Sequence, residues 1–186
     1  MNKGKLFVIS GPSGVGKGTI CRELVKKDPS LSLSVSATTR AKREEDKDGV
    51  TYYFISKDEF ESLIESGGFL EWNIYNGNYY GTPVAPVNKA LDCGKNFVLE
   101  IDVNGGKNVR KVFPEAVLIF ITPPDKDELF KRLSGRGSET PDSIKNRLDA
   151  AKREIEIGES YDYVIVNNVL DDAVTDVLNI IAKEND

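Results

Sequence analysis

Apolar positions in this chain follow two alternating rhythms. Short apolar runs at 5–10, 97–103, 117–121 and 163–166 are separated by stretches in which apolar residues recur at helical spacing, as Ile20, Leu24 and Val25 do. Strands alternating with amphipathic helices predict a parallel sheet covered on both faces. The spacing predicts helices over 17–27, 57–66, 82–93, a stretch ending near 112, 125–134, 140–157 and 171–184. Residues 32–38 alternate apolar and polar, which predicts one short strand. Ser56 with Glu59 reads as a capping box, and Gly67-Gly68 ends the helix that it opens. Asn76-Gly77, between extended stretches at 69–75 and 78–81, signals a hairpin.

Two segments break the rhythm. A β-rich unit occupies about 33–95, and a basic stretch containing Gly135 and Gly137 lies within about 126–147. The remainder, about 1–32, 96–125 and 148–186, reads as one core, so the expectation is a single α/β domain of three layers, α/β/α, with two attachments. Such attachments can close over two ligands and exclude water.

Gly11-Pro12-Ser13-Gly14-Val15-Gly16-Lys17 directly follows the apolar run Leu6-Phe7-Val8-Ile9 and opens a helical pattern. It fits the phosphate-loop motif G-x-x-x-x-G-K, in which glycines let successive N–H groups point at phosphate oxygens. The helix behind it adds the positive end of its dipole, and Lys17 supplies a cation that can follow charge onto a transferring phosphoryl group. Residues 11–19 are therefore candidate nucleotide ligands. After Lys17 comes Gly18, where the motif has a Ser or Thr hydroxyl for Mg²⁺; Thr19 follows. No side chain is assigned directly to the metal. Mg²⁺ is expected to be held mainly by phosphates and water, in keeping with its reluctance to dehydrate.

Composition narrows the chemistry further. Histidine is absent from the 186 residues, which excludes Ser-His-Asp triads, Cys-His pairs and His-ligated zinc. Phosphoryl transfer needs none. A net charge of −5 argues against nucleic acid as a partner and makes clustered arginines informative. No apolar stretch approaches a membrane span and residues 1–5 show no signal-peptide core, so a cytoplasmic protein without a membrane partner is expected. Cys21 and Cys93 read as reduced core thiols.

Four clusters stand out. Arg40 and Arg43, near Tyr52 and Tyr53, can cradle a second phosphate, or can be a solvated charged loop. Glu100 and Asp102 are two apart on a strand, so both are expected on one face at its carboxyl end, where α/β sheets bind ligands; a surface-facing strand end is the alternative. Arg132, Arg136 and Arg147 flank Gly135 and Gly137 like a closing lid, or each pairs with a nearby acid. Glu71 lies between Leu70 and Trp72; alone it reads as a half-exposed strand acid.

Taken together, Gly11 to Lys17, Val35-Ser36-Ala37-Thr38-Thr39-Arg40 with Arg43, Phe69-Leu70-Glu71-Trp72, Tyr80-Gly81-Thr82, Glu100-Ile101-Asp102-Val103-Asn104-Gly105 and Arg132-Leu133-Ser134-Gly135-Arg136-Gly137 resemble guanylate kinase in order and spacing, over nearly the whole chain. The resemblance implies a P-loop α/β fold in which 33–95 binds GMP and 126–147 is the lid. It implies transfer of a phosphoryl group from ATP·Mg²⁺ to GMP. GMP-binding roles fall on Ser36, Arg40, Arg43, Tyr52, Glu71, Tyr80, Thr82, Glu100 and Asp102. Catalytic roles fall on Lys17, Arg40, Arg132, Arg136 and Arg147, and Asn167 is implied beside the adenine. The chain departs from the family pattern at Gly18, at Lys42 (commonly proline) and at Asp46 (commonly glutamate). Two rival readings differ in class: a kinase for another nucleoside monophosphate, and a non-catalytic guanylate-kinase-like module that binds proteins. Glu71 with Ser36 and Thr82 opposes the first, and the intact Lys17 and arginines oppose the second. Oligomeric state and use of dGMP do not follow from the sequence.

Overall fold

The computed structural model describes residues 3–134 and 141–185, with side chains from 145 onward in the second span. Five short strands, β1 (Leu6–Ser10), β2 (Ser32–Leu33), β7 (Phe97–Glu100), β8 (Val117–Thr122) and β9 (Tyr163–Val166), form one sheet in the order β2-β7-β1-β8-β9. Every pairing in it is parallel. Alternation along β1 explains the layers. Phe7 and Ile9 pack with Ile20, Cys21 and Leu24 of α1 (Lys17–Lys27) and with Val174, Val177 and Ile181 of α7 (Leu170–Asn185). Leu6 and Val8 point the other way, onto Val87 and Leu91 of α3 (Val84–Asp92) and Val103 and Val109 of α4 (Val103–Val112). Both faces are buried, as a parallel sheet requires. The expected three layers are present.

The insertion forms its own sheet, ordered β4-β3-β6-β5, from β3 (Ala37–Thr38), β4 (Tyr53–Phe54), β5 (Phe69–Tyr75) and β6 (Asn78–Pro83), with α2 (Lys57–Glu65) beside it. Ser56 and Glu59 make the expected reciprocal capping box on α2. The remaining helices are α5 (Lys126–Ser134) and α6 (Pro141–Gly158). Among the described residues no helix is long and apolar enough to cross a membrane.

Four expectations are corrected. Residues 32–38 are not one strand: 32–33 join the core sheet and 37–38 join the second sheet, so the segment carries the chain from one to the other. Thr82 does not open a helix; it extends β6 opposite Glu71, and Pro83 takes the N-cap position of α3. The strand at 97 stops at Glu100, and Asp102 is instead the N-cap of α4, its carboxylate accepting from the Gly105 N–H at 2.7 Å. A helix start leaves orphan N–H groups that a cap must satisfy, and this demand overrides the strand pattern. Glu100 and Asp102 therefore do not share one strand face. Cys93 is exposed at the end of α3, whereas Cys21 is buried as expected.

Candidate active site

Leaving β1, the chain turns through Gly14 and Gly16, at φ 86° and 99°, before α1 begins at Lys17. Side chains rarely adopt these angles, which is why the loop is glycine-rich. The Lys17 ammonium donates to the loop's own carbonyls, Gly11 at 2.6 Å and Pro12 at 3.1 Å. Burial lowers the pKa of Lys17, while Glu100, Glu154 and Asp102 oppose that by their charge.

Side chains from three distant elements brace this loop, among them Asn167, Arg132 and Arg147. Asn167, 6% exposed, donates from Nδ2 to the Val15 carbonyl at 2.7 Å. Arg132 on α5 is tied to Glu128 at 2.9 Å and donates to the carbonyls of Val15 at 3.4 Å and Asn167 at 3.1 Å. Arg147 on α6 donates to the Ser13 hydroxyl at 2.6 Å. Two of the three arginines expected to form a lid thus reach the phosphate loop. Arg136 lies outside the described residues.

Next to the loop stands Glu100, at the carboxyl end of β7 as expected. A Cβ built on Gly18 would lie 3.2 Å from Glu100 Oε1 and 3.5 Å from Arg22 Nη1. The space that a Ser side chain at position 18 would enter is lined by this carboxylate. Glu100 is exposed, yet partial desolvation in the cleft raises its pKa, opposed by Lys17 and Arg22.

The insertion supplies two further constellations. Arg40 donates to Asp46 at 2.8 Å, and the same Asp46 oxygen accepts from the Arg43 N–H at 2.8 Å. Asp46, 8% exposed, has its pKa lowered first by that backbone bond and then by Arg40. The Arg40 guanidinium lies 5.5 Å from the ring centroids of Tyr52 and Phe54, and Tyr52 meets Tyr80 edge-on at 5.8 Å. Asp46, where the family commonly has glutamate, thus holds both the Arg40 side chain and the Arg43 backbone, and Arg40, Tyr52 and Tyr80 come together.

On the hairpin, the register sets Glu71 opposite Thr82, whose hydroxyl donates to Glu71 Oε1 at 2.7 Å. Burial raises the Glu71 pKa, the Thr82 bond lowers it, and nearby Asp102 raises it again. Asp102 is thus within electrostatic reach of both Glu71 and Lys17. Ser36 lies in the crossing segment beside β4, its carbonyl accepting from the Tyr53 N–H at 2.9 Å. Trp72, the only tryptophan, is 43% exposed on β5, across from Gly81 and 5.9 Å from the Tyr79 ring.

Sequence reasoning missed Glu154. It sits on the inner side of α6, with burial raising its pKa and Lys17 and the Ser13 backbone lowering it. Its only sequence signal is an acid on an amphipathic helix, which does not distinguish it from a surface residue. Among the described residues no three His, Cys, Asp or Glu side chains converge to hold a metal.

A family model described as "Guanylate kinase" matches residues 3–184. The guanylate kinase of Halalkalibacterium halodurans is 49% identical over 183 residues, which is 98% of this chain and 90% of that protein. That of Clostridium acetobutylicum is 50% identical over 182 residues, 98% of this chain and 87% of the relative. The crystal structure of guanylate kinase from Anaplasma phagocytophilum superposes with a TM-score of 0.79 at 33% identity, covering 98% of this chain and 87% of that one.

Proposed function

The chain belongs to the guanylate kinase family and transfers the γ-phosphoryl group of ATP to GMP, and from that premise we propose how its residues divide the reaction. The observation that carries the assignment is the Thr82 hydroxyl bond at 2.7 Å that orients the Glu71 carboxylate as an acceptor suited to a base.

ATP phosphates occupy the loop 11–19, where inward N–H groups and the α1 dipole receive them. Lys17 then exchanges its carbonyl partners for β- and γ-phosphate oxygens. GMP enters with its phosphate between Arg40, Arg43, Tyr52 and Tyr80. Its guanine offers two adjacent donors, N1–H and the 2-amino group, to the Glu71 carboxylate, with Thr82 fixing one oxygen and Ser36 and Asp102 nearby. Adenine presents an acceptor at N1 and no 2-amino group, which leaves the acid unpaired. Buried polar pairing of this kind rejects a wrong base by about 10⁴ or more.

A GMP phosphate oxygen attacks the γ-phosphorus, the bond to the β-phosphate oxygen breaks, and ADP leaves. The attacking oxygen is already anionic, so no general base is assigned. Lys17, Arg132, Arg136 and Arg147 carry the charge that spreads over the transferring group. Asn167, beside the adenine by family resemblance, also holds the loop in shape. The core about 1–32, 96–125 and 148–186 carries the ATP end, 33–95 the GMP end, and 126–147 the lid.

Mg²⁺ suits this donor set when it arrives with ATP. Glu100 and the Thr19 hydroxyl stand beside Gly18, able to accept from or bind its water shell, and the ion would neutralise phosphate charge. Release of ADP with GMP, dGMP, AMP, CMP and TMP tests the reading. Turnover of GMP with AMP near background is expected, and equal use of AMP would overturn it.

A further inference from the structure

Thr82 engages one oxygen of Glu71, Oε1, at 2.7 Å. The other oxygen turns toward the first turn of α4, where Gly105 is buried. A Cβ built on Gly105 would lie 3.3 Å from Glu71 Oε2, 3.3 Å from Ile101 Cδ1 and 3.4 Å from Ile101 Cβ. These are tight separations, so something must give by a few tenths of an ångström.

The helix is the least able to yield. Its Gly105 N–H is held by the Asp102 carboxylate at 2.7 Å. The Asp102 carbonyl is in turn held by the Ser10 hydroxyl at 3.1 Å and the Gly106 N–H at 3.0 Å. The neighbouring glycine serves a different contact. A side chain at Gly106 would overlap the Tyr161 hydroxyl and press on Ser10 Oγ, both inside the fold. Gly106 is needed for packing, and Gly105 faces the acid.

We infer that Gly105 is a specificity-positioning residue, whose missing side chain leaves Glu71 Oε2 at the depth where a guanine donor meets it. This rests on the reading of Glu71 as the guanine acceptor. With Oε1 fixed by Thr82 and Oε2 bounded by Gly105, the carboxylate presents both oxygens in one plane without rearranging. A methyl at 105 pushes on the one oxygen that Thr82 does not restrain.

Steady-state kinetics of Gly105→Ala, Ile101→Val/Gly105→Ala and Glu71→Ala test this. The expected result for Gly105→Ala is a KM for GMP raised about tenfold, the scale of one weakened hydrogen bond to a charged group, with KM for ATP and kcat within about twofold. The Ile101→Val background removes the methyl that crowds the new Cβ and protects the fold, while the contact to Glu71 remains. The rise in KM for GMP persists there. If it vanishes in that background, or if Gly105→Ala leaves KM for GMP unchanged while Glu71→Ala loses GMP, the inference about Gly105 is overturned and the reading of Glu71 survives. If Glu71→Ala itself keeps normal GMP kinetics, that reading fails first and the inference with it.

Discussion

Lys17 and Glu71 illustrate how little of a residue's role is visible without its neighbours. The motif announces Lys17, and its replacement by methionine should lower kcat on the order of 10³-fold, the scale of phosphate-charge stabilisation, as measured at saturating ATP and GMP. Glu71 reads in isolation as a half-exposed strand acid; the pairing register, which brings Thr82 opposite it, supplies the partner on which its proposed role rests. Its raised pKa has a kinetic consequence. Only the ionised carboxylate accepts two donors, and burial makes it take up a proton at higher pH than its ordinary value of 4.5. KM for GMP should therefore climb on mild acidification. The GMP phosphate also titrates near this range, so the comparison is with Glu71→Gln, which should lose the Glu71 component of the profile and keep the other. Asn167 and Glu154 were less legible. A side chain that braces a loop across more than a hundred residues of sequence leaves no local pattern.

Among the elements, long runs with one clear period were readable, and segments that change allegiance were not. The boundaries of α1 and β9 follow directly from their apolar spacing. The segment 32–38 alternates like a strand, yet its two halves hydrogen-bond into different sheets, a choice made by distant β7 and β6. Asp102 failed similarly, because a strand run and a helix cap compete for the same short stretch and the cap satisfies more orphan donors. Removing that cap by Asp102→Ala should cost about 1 kcal/mol and lower the melting temperature by about 2–4 °C, with Asp102→Asn recovering most of it in a thermal melt. The loop after β3 depends on Asp46, which gathers the Arg40 side chain and the Arg43 backbone onto one oxygen. Asp46→Asn should raise KM for GMP about tenfold, since a neutral amide oxygen holds the guanidinium more weakly, and leave KM for ATP nearly unchanged.

At the scale of the whole molecule, the cleft sets the pH response. Glu71, Glu100 and Glu154 all have raised pKa values because the cleft desolvates them. Above the ordinary value of 4.5 the folded protein holds protons that the unfolded chain has released, so stability falls as pH rises through that window. Asp46 and Glu59 act oppositely: their lowered values contribute stability that is present at neutral pH and lost only in stronger acid. The melting temperature of the ligand-free protein should thus rise from neutral to mildly acidic buffer, and the rise should shrink in Glu100→Gln. Trp72 gives the two ends of the cleft separate visibility. As the sole indole, 43% exposed and one residue from the acid proposed to read guanine, it confines tryptophan fluorescence to the insertion. Adding GMP should shift its emission, whereas ATP alone should leave the spectrum almost untouched, so occupancy of one nucleotide can be followed optically without turnover or label.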